Sequence, residues 1–295
     1  MPTRTLHAAS SLAVALYAAV CCVAAAAGST GGPSAPVRLR VEYMEAPLGV
    51  DVDYPLRFTW SADHSERNQA QSAYQIVVTE LDGHGAPGKH VWDSGQLHSN
   101  ASQNVPLGSS VELAADTAYS WSVRWWDSAG VPSPATSSSF STGLYTEADW
   151  QSAAWIGGQT GQYRKNFTLR GPVKRATAYV IGLGYYKLHM NGKQVSTHEL
   201  GAFTTFDRRV LYDTLDVTEA VSQEPEQVIG LELGNGWYNL GKTDIMDSSH
   251  PIAVGPPTLR VRLSLQYTAD VVYPGQASNL TSNQEHLRSH FLLCD

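Results

Sequence analysis

The sequence predicts an all-β protein made of two consecutive antiparallel β-sandwich domains, and three observations support this fold class. Short runs in which apolar and polar residues alternate recur between residues 37 and 267. Gly, Pro, Asn, Asp and Ser separate these runs, as they do in turns between strands. The 295 residues leave room for roughly two domains, and a hydrophobic content of 42% is enough to give each one a buried core.

The first 27 residues have the pattern of a secretory signal peptide. Arg4 precedes a largely apolar run from Leu12 to Ala27, which ends in small residues. The alternative is an N-terminal membrane anchor, although the run is short for a helix that spans a bilayer. The sequence therefore predicts a chain that is secreted, or delivered to a compartment reached by secretion, and that has no membrane partner once residues 1–27 are cleaved.

Cysteines, acceptor motifs and charge add expectations about compartment and partners. Cys21 and Cys22 lie in the predicted signal peptide, so Cys294 remains alone and no intramolecular disulfide is expected. A net charge of −7 without Lys/Arg runs argues against a nucleic-acid partner. Asn-x-Ser/Thr triplets make three asparagines candidates for N-glycosylation, namely Asn100, Asn166 and Asn279.

Residues 28–36 are rich in Gly, Ser and Pro and are predicted to form a linker, and residues 37–145 form the first domain. The clearest strand of this domain runs from Ala118 to Asp127. About seven short strands in roughly 110 residues are typical of an immunoglobulin-like or fibronectin type III-like sandwich, and the lack of a cysteine pair favours the fibronectin type III-like form. We expect three tryptophans to lie in its core, namely Trp60, Trp121 and Trp125.

The second domain is assigned to residues 150–267, after a joint rich in Trp and Gly. Alternating segments flank Asn191-Gly192, which is the strongest short signal for a hairpin turn. A helical turn is predicted over Asp216–Val221, and a cleanly alternating strand over Leu259–Leu265. The pattern is that of an antiparallel sandwich of the jelly-roll kind. Residues 268–295 lose the alternation and are predicted to form an irregular tail.

Catalytic motifs are not found in the sequence. A glycosidase needs two carboxyl groups roughly 5–9.5 Å apart, and positions on strands do not place any two candidates across a cleft. Cys/His spacings typical of metal sites are missing, and the Gly182–Gly184 segment is followed by a strand rather than by the helix of a dinucleotide site. We therefore assign no catalytic residue and no metal ligand; the carboxylates considered are Asp207, Asp213, Glu232 and Asp244.

A carbohydrate-binding site is the better supported candidate. Sugars present C–H faces to aromatic rings and hydroxyl groups to amides, and Asn191, Asn235 and Trp237 lie on a turn and at a strand end where such groups could converge. The alternative is that Asn191 only makes its hairpin, while Asn235 belongs to a turn and Trp237 packs.

Eight segments of the two domains resemble a known family, in the family's order, from about Pro36 to Tyr267. In the second domain these segments are Gly182–Tyr186, Asn191–Val195, Leu211–Thr218 and Leu233–Tyr238. They resemble the N-terminal domain of bacterial-type α-L-rhamnosidases, glycoside hydrolase family 78. Those in the first domain resemble the fibronectin-like leader of the same family: Arg38–Gly49, Gln71–Ile76, Trp92–Gly95 and Tyr119–Arg124.

The resemblance implies a secreted hydrolase that removes terminal α-L-rhamnosyl residues from rhamnose-containing glycans or glycosides with inversion. In the family the catalytic carboxylates lie in an (α/α)6 barrel, C-terminal to every segment that matches here. We therefore expect the chain to be the N-terminal part of such an enzyme, or a truncated gene model of it, and to be inactive alone. The alternatives are a stand-alone module that binds rhamnose or another glycan, and a purely structural accessory module.

Some relatives bind rhamnose through calcium, using an Asp-Asn pair and a downstream Asn. Asn191 and Asn235 match those amides, but Met190 stands where the resemblance requires Asp. No cofactor is therefore expected.

Overall fold

The structure is a computed structural model that describes residues 31–268, with the exception of 53, 83–84, 152, 199–200, 222–223 and 240–254. It also describes the backbone of residues 284–287 and 292–294. The predicted signal peptide, Asp244 and Asn279 lie outside the described residues. The all-β prediction is confirmed: the described part contains seventeen strands in four sheets, no α-helix and three short 3-10 turns. Every pair of named strands in these sheets is antiparallel.

The first domain is a sandwich of two sheets. Its strands are β1 Val37–Val41, β2 Arg57–Ser61, β3 Ala73–Leu81, β4 Pro87–Asp93, β5 Val105–Pro106, β6 Ala118–Trp126 and β7 Thr136–Ser141. One sheet has the order β1-β2-β5 and the other β4-β3-β6-β7. The expectation that three tryptophans are buried is confirmed, since Trp60 is 0% and Trp121 and Trp125 are each 1% exposed.

The segment assigned to the linker contacts this sandwich. The backbone N–H of Ser34 donates to the oxygen of Asp63 at 2.9 Å, and the indole of Trp125 donates to the oxygen of Ser34 at 2.9 Å. Pro33 also forms an isolated bridge with His64. Residues 33 and 34 therefore extend the edge of the first domain.

The second domain is a sandwich of two five-stranded sheets. Its strands are β8 Ile156–Gly157, β9 Gly161–Thr168, β10 Val173–Leu183, β11 Tyr185–Met190, β12 Lys193–Gln194, β13 Asp213–Asp216, β14 Glu226–Gly234, β15 Thr258–Tyr267, β16 Gln284–Leu287 and β17 Leu292–Cys294. One sheet has the order β13-β10-β15-β16, with β8 also paired to β15, and the other has the order β12-β11-β14-β9-β17.

Residues 268–295, for which the sequence predicts an irregular tail, contribute two of these strands. The backbone of β16 pairs with β15, and the backbone of β17 pairs with β9. An open sheet edge offers unpaired N–H and C=O groups to any extended segment, so this pairing does not require the side-chain alternation on which the prediction relied.

Local turn predictions agree with the structure. Asn191 and Gly192 have φ values of 51° and 81°, as a tight hairpin turn requires, and the turn joins β11 to β12. A 3-10 turn runs over Thr218–Ala220, and Asp216 Oδ1 accepts a hydrogen bond from the backbone N–H of Thr218 at 2.9 Å.

The sheet that contains β10 and β15 is buried on both faces. One face packs in the core of the second sandwich; its residues on these strands include Ala176, Ala178, Val180, Leu259, Val261 and Leu263. The opposite face is buried against the end of the first domain and the joint; it carries Tyr179, Ile181, Leu183, Arg260, Arg262 and Ser264. The two domains therefore share a buried interface that is partly polar.

Candidate functional site

Asn191, the first residue of the predicted sugar site, has a structural role. Its Nδ2 donates hydrogen bonds to the oxygen of Ala220 at 3.0 Å and to Oε1 of Gln227 at 2.7 Å. Its Oδ1 accepts one from the backbone N–H of Val228 at 2.9 Å. Both amide N–H groups thus make hydrogen bonds, and the side chain connects the hairpin turn to the start of β14.

The structure brings Asn235 and Trp237 together but places Asn191 far from them. In the ladder between β11 and β14, Tyr185 is opposite Gly234 and Met190 is opposite Ile229. Asn235 therefore follows one end of this ladder, while Asn191 follows the other. At about 3.3 Å per residue, the two ends are separated by roughly 15–20 Å.

Trp237 belongs to a chain of four aromatic rings. The ring centroids of Phe203 and Trp237 are 6.1 Å apart, those of Phe203 and Phe206 5.8 Å, and those of Phe206 and Tyr238 5.3 Å. Phe203 is 47% and Trp237 43% exposed. Asn235 is also exposed. Exposed rings beside an amide are the groups that a sugar can contact with its C–H face and hydroxyls.

The glycine-rich motifs are explained by a crossing of two backbone segments. Gly184 has φ +139°, and a Cβ there would lie 2.3 Å from the oxygen of Gly234. Gly236 has φ +55°, and a Cβ there would lie 2.8 Å from Cα of Gly184. Only glycine allows this approach without displacement of the chain, and the crossing fixes the position of Trp237.

The residues at the position implied for calcium do not fit that ion. Met190 is 0% exposed and packs in the core of the second sandwich. Calcium requires oxygen ligands, which a buried thioether does not supply. Within the described residues, no group of three or more His, Cys, Asp or Glu side chains is arranged to hold a metal ion.

The carboxylates considered for catalysis have separate surroundings. Asp207 is exposed, and Asp213 on β13 accepts a hydrogen bond from the hydroxyl of Tyr186. Burial, with the bond to Asp213, raises the pKa of Tyr186. Glu232 on β14 lies opposite Lys187 of β11, on the other sheet of the sandwich. The structure therefore does not pair Asp213 with Glu232 in one sheet.

A cleft of about 320 Å³ lies between the two domains. Arg260 forms one of its walls: Nη1 and Nη2 donate to the Glu147 carboxylate at 2.9 and 2.6 Å, and Nε donates to the oxygen of Ala153 at 2.7 Å. The guanidinium carbon lies 4.7 Å from the ring centroid of Trp150 and 5.9 Å from that of Trp155. The hydrogen bond from Arg260 holds the pKa of Glu147 below its ordinary value.

Next to the cleft, a buried carboxylate connects the domains. Asp116 precedes β6 of the first domain and accepts hydrogen bonds from Tyr179 Oη at 2.6 Å, Arg262 Nη2 at 2.8 Å and Ser264 Oγ at 2.7 Å. Burial, with Asp116 alongside, raises the pKa of Tyr179, which therefore stays a hydroxyl donor. Tyr212 completes the contact: its hydroxyl accepts from Leu144 N at 2.7 Å and donates to Leu144 O at 3.1 Å.

Sequence reasoning missed the residues of this interface. The one available signal was the pair of arginines in the middle of β15, Arg260 and Arg262, which alternation alone assigns to the face away from the core.

Two of the three candidate glycosylation sites, Asn100 and Asn166, are exposed, as an acceptor must be. No helix in the described part of the chain is long and apolar enough to cross a bilayer.

Comparison with protein families matches both domains. A model described as "Rha78A-like, N-terminal immunoglobulin domain" matches residues 36–146, and a model described as "Alpha-L-rhamnosidase N-terminal domain" matches residues 171–286. An α-L-rhamnosidase of Formosa agariphila is 31% identical over 254 residues, which are 75% of this chain and 26% of that protein. One from Alteromonas sp. (strain LOR) is 27% identical and covers 79% of this chain and 27% of that protein.

Solved structures give the same result. The α-L-rhamnosidase from Dictyoglumus thermophilum has a TM-score of 0.67 and 28% identity, covering 88% of this chain and 29% of that protein. The α-L-rhamnosidase from Aspergillus terreus has a TM-score of 0.66 at 22% identity, which supports the fold alone.

The fold and the interface define a tandem β-sandwich protein whose domains are joined by buried hydrogen bonds. The chain carries the N-terminal immunoglobulin domain and the N-terminal domain of the α-L-rhamnosidase family. It spans about a quarter of the length of the curated relatives that it matches.

Proposed function

We propose that the chain is the non-catalytic N-terminal part of a secreted, inverting α-L-rhamnosidase that hydrolyses terminal α-L-rhamnosyl residues of rhamnose-containing glycans or glycosides. The observation that carries this proposal is the match of both domains, in order, to the N-terminal domains of this family. The relative from Formosa agariphila is covered over only 26% of its length, which leaves ample chain for a separate catalytic domain.

The carboxylates of the described residues support the view that these two domains do not perform hydrolysis. An inverting glycosidase needs a protonated acid and an ionised base roughly 6.5–9.5 Å apart. Arg260 lowers the pKa of Glu147, which does not suit this carboxyl to be the protonated acid, and Asp213 and Glu232 lie on different sheets. We infer that the two sandwiches serve to position a catalytic domain and its glycan substrate.

An assay with 4-nitrophenyl α-L-rhamnopyranoside tests the catalytic part of the proposal. We expect the purified chain to release no nitrophenol above the buffer rate, with the Dictyoglumus thermophilum enzyme as positive control. Turnover that follows the chain through purification would contradict the proposal. Genomic sequence beyond Asp295 is a second test: an open reading frame for a helical barrel supports the proposal, and its absence contradicts it.

Secretion is tested separately. If residues 1–27 are a signal peptide, protein recovered from the medium of the native host should begin near Gly28, as read by mass spectrometry. In a eukaryotic secretion host, glycosidase treatment should lower the mass of the chain if Asn100 or Asn166 carries a glycan. An intact N-terminus on membrane-bound protein would instead support the membrane anchor.

Glycan binding by the chain alone is a second candidate function, favoured by the exposed rings of Phe203 and Trp237 beside Asn235. Titration of the chain with L-rhamnose, with and without calcium, tests it. We expect any binding to be independent of calcium, because Met190 supplies no oxygen ligand. Absence of a heat signal at millimolar sugar would contradict this function.

A further inference from the structure

The cleft between the domains combines a half-exposed tryptophan with a pre-formed pair of opposite charges. Trp155 is 46% exposed and lines the cleft. The Arg260 guanidinium beside it is already fixed by Glu147 and Ala153, so the side chains of the wall are ordered before a ligand arrives. Such pre-organisation lowers the entropy cost of binding.

The chemistry of the cleft selects a neutral ligand with hydroxyl groups. Glu147 disfavours an anion and Arg260 disfavours a cation. The side chain of Arg260 is only 6% exposed, whereas that of Glu147 is 80% exposed. A carboxylate has about four lone-pair sites, and Arg260 uses two of them, so Glu147 keeps acceptors that face the cleft. Neighbouring hydroxyls of a sugar ring match this arrangement, and the face of Trp155 matches the C–H side of the ring.

The remaining walls of the cleft include aliphatic groups. Ile181 and Val210 line it together with Trp155. A sugar that carries a methyl group in place of a hydroxymethyl group would bury that methyl there. The volume of about 320 Å³ lies at the lower end of the range of roughly 300–1,000 Å³ for small-molecule pockets, which suits one sugar ring.

We propose that this cleft binds a single neutral sugar unit of a glycan, with a preference for a 6-deoxyhexose. Trp155 stacks on the ring, the Glu147 carboxylate held by Arg260 accepts hydrogen bonds from adjacent hydroxyls, and the aliphatic wall contacts the methyl group. This binding does not involve hydrolysis, and the lining of the cleft does not include Phe203 or Trp237. The choice of rhamnose as the probe rests on the proposed function.

The decisive experiment isolates the cleft in a chain that lacks the other exposed tryptophan. Trp155 and Trp237 are closely matched, at 46% and 43% exposure. The Trp237→Ala chain is titrated with methyl α-L-rhamnopyranoside by calorimetry and by NMR of the indole N–H groups. We expect millimolar binding and a shift of the Trp155 resonance, a loss of at least tenfold when Trp155→Ala is added, and near-complete retention with Trp155→Phe. Circular dichroism verifies that each variant is folded.

Methyl α-L-mannopyranoside, which differs from the rhamnoside by the 6-hydroxyl, tests the preference. Burial of one methyl group corresponds to about a fourfold difference in affinity. Equal affinities for the two glycosides would overturn the preference. Absence of binding to the Trp237→Ala chain, or binding that Trp155→Ala leaves unchanged, would overturn the site. Because these are binding measurements, their failure is distinct from unexpected turnover in the rhamnosidase assay.

Discussion

Asp116 is the residue on which the contact between the two domains depends most. It is 7% exposed, its backbone has φ 50°, and its carboxylate faces the buried arginine Arg262. A buried ion pair adds little net stability relative to apolar packing, but removal of one partner leaves the other charge in a medium of low dielectric. The carboxylate therefore determines whether Arg262 is tolerated at the interface.

We expect Asp116→Asn to lower the free energy of unfolding by about 3 kcal/mol, because the buried charge of Arg262 loses the carboxylate that is hydrogen-bonded to it. Asparagine tolerates the positive φ of this position, so the substitution changes the charge and leaves the backbone unstrained. Urea denaturation followed by tryptophan fluorescence measures the change. The control is Asp207→Asn at an exposed site, for which we expect a change within about 0.5 kcal/mol; equal effects of the two substitutions would argue against the role of Asp116.

We expect the stability of the fold to depend on pH through the ionisation of Glu147. Its folded-state pKa lies below the ordinary value of 4.5 because Arg260 donates hydrogen bonds to its carboxylate. The ion pair therefore stabilises the fold fully above pH 4.5, and this contribution is lost as the pH falls through the folded-state pKa. We expect Glu147→Gln to lower the melting temperature near neutral pH, and the difference from wild type to vanish in acid. A difference independent of pH would contradict this assignment.

Strand β15 shows which part of the fold the sequence could predict. Its alternation correctly indicates a strand with an apolar face in the core, because that pattern is local. The polar face is also buried, since Arg262 is 3% and Arg260 5% exposed. Their partners Asp116 and Glu147 lie 146 and 113 residues away in the chain, so no local pattern could indicate this burial.

In the candidate sugar site, too, the sequence could predict local features but not long-range contacts. The Asn191-Gly192 hairpin was predictable because turn chemistry depends on two adjacent residues. The distance from Asn191 to Asn235 depends on the register between β11 and β14, which places the two residues beyond opposite ends of one ladder. Trp155 lay in a segment that the sequence indicated only as a joint, and its cleft requires both domains.

Substitutions at two glycines, Gly192 and Gly184, distinguish the cost of backbone strain from the cost of a steric clash. A Cβ on Gly192, at φ +81°, would meet nothing within 4 Å, whereas a Cβ on Gly184, at φ +139°, would lie 2.3 Å from a backbone oxygen. We expect Gly192→Ala to cost about 1 kcal/mol through conformation alone. Gly184→Ala should cost at least about 3 kcal/mol, because the clash adds to the strain. Chemical denaturation measures both, and equal costs would contradict the backbone crossing at Gly184.

At the scale of the whole molecule, the interface should couple the two sandwiches during unfolding. The outer face of β10 and β15 is covered by the first domain and the joint, so unfolding of the first domain exposes Tyr179 and Arg262, which contact Asp116. The second domain would then expose part of the outer face of β10 and β15 to solvent. Coupling of this kind keeps the two sandwiches in one relative orientation while both are folded.

We therefore expect wild-type protein to unfold in one calorimetric transition, with equal calorimetric and van't Hoff enthalpies. The double variant Asp116→Asn with Glu147→Gln removes the carboxylates that accept hydrogen bonds from Arg262 and Arg260 and should resolve two transitions, one for each sandwich. The control replaces two exposed carboxylates by the same change, Glu45→Gln with Asp207→Asn, and should keep a single transition. Two separate transitions in wild type, or one transition in the double variant, would show that these hydrogen bonds do not couple the domains. In that case the apolar contacts of Leu144 and Trp150 with Ile181 and Leu183 would remain as the part of the interface that carries any coupling.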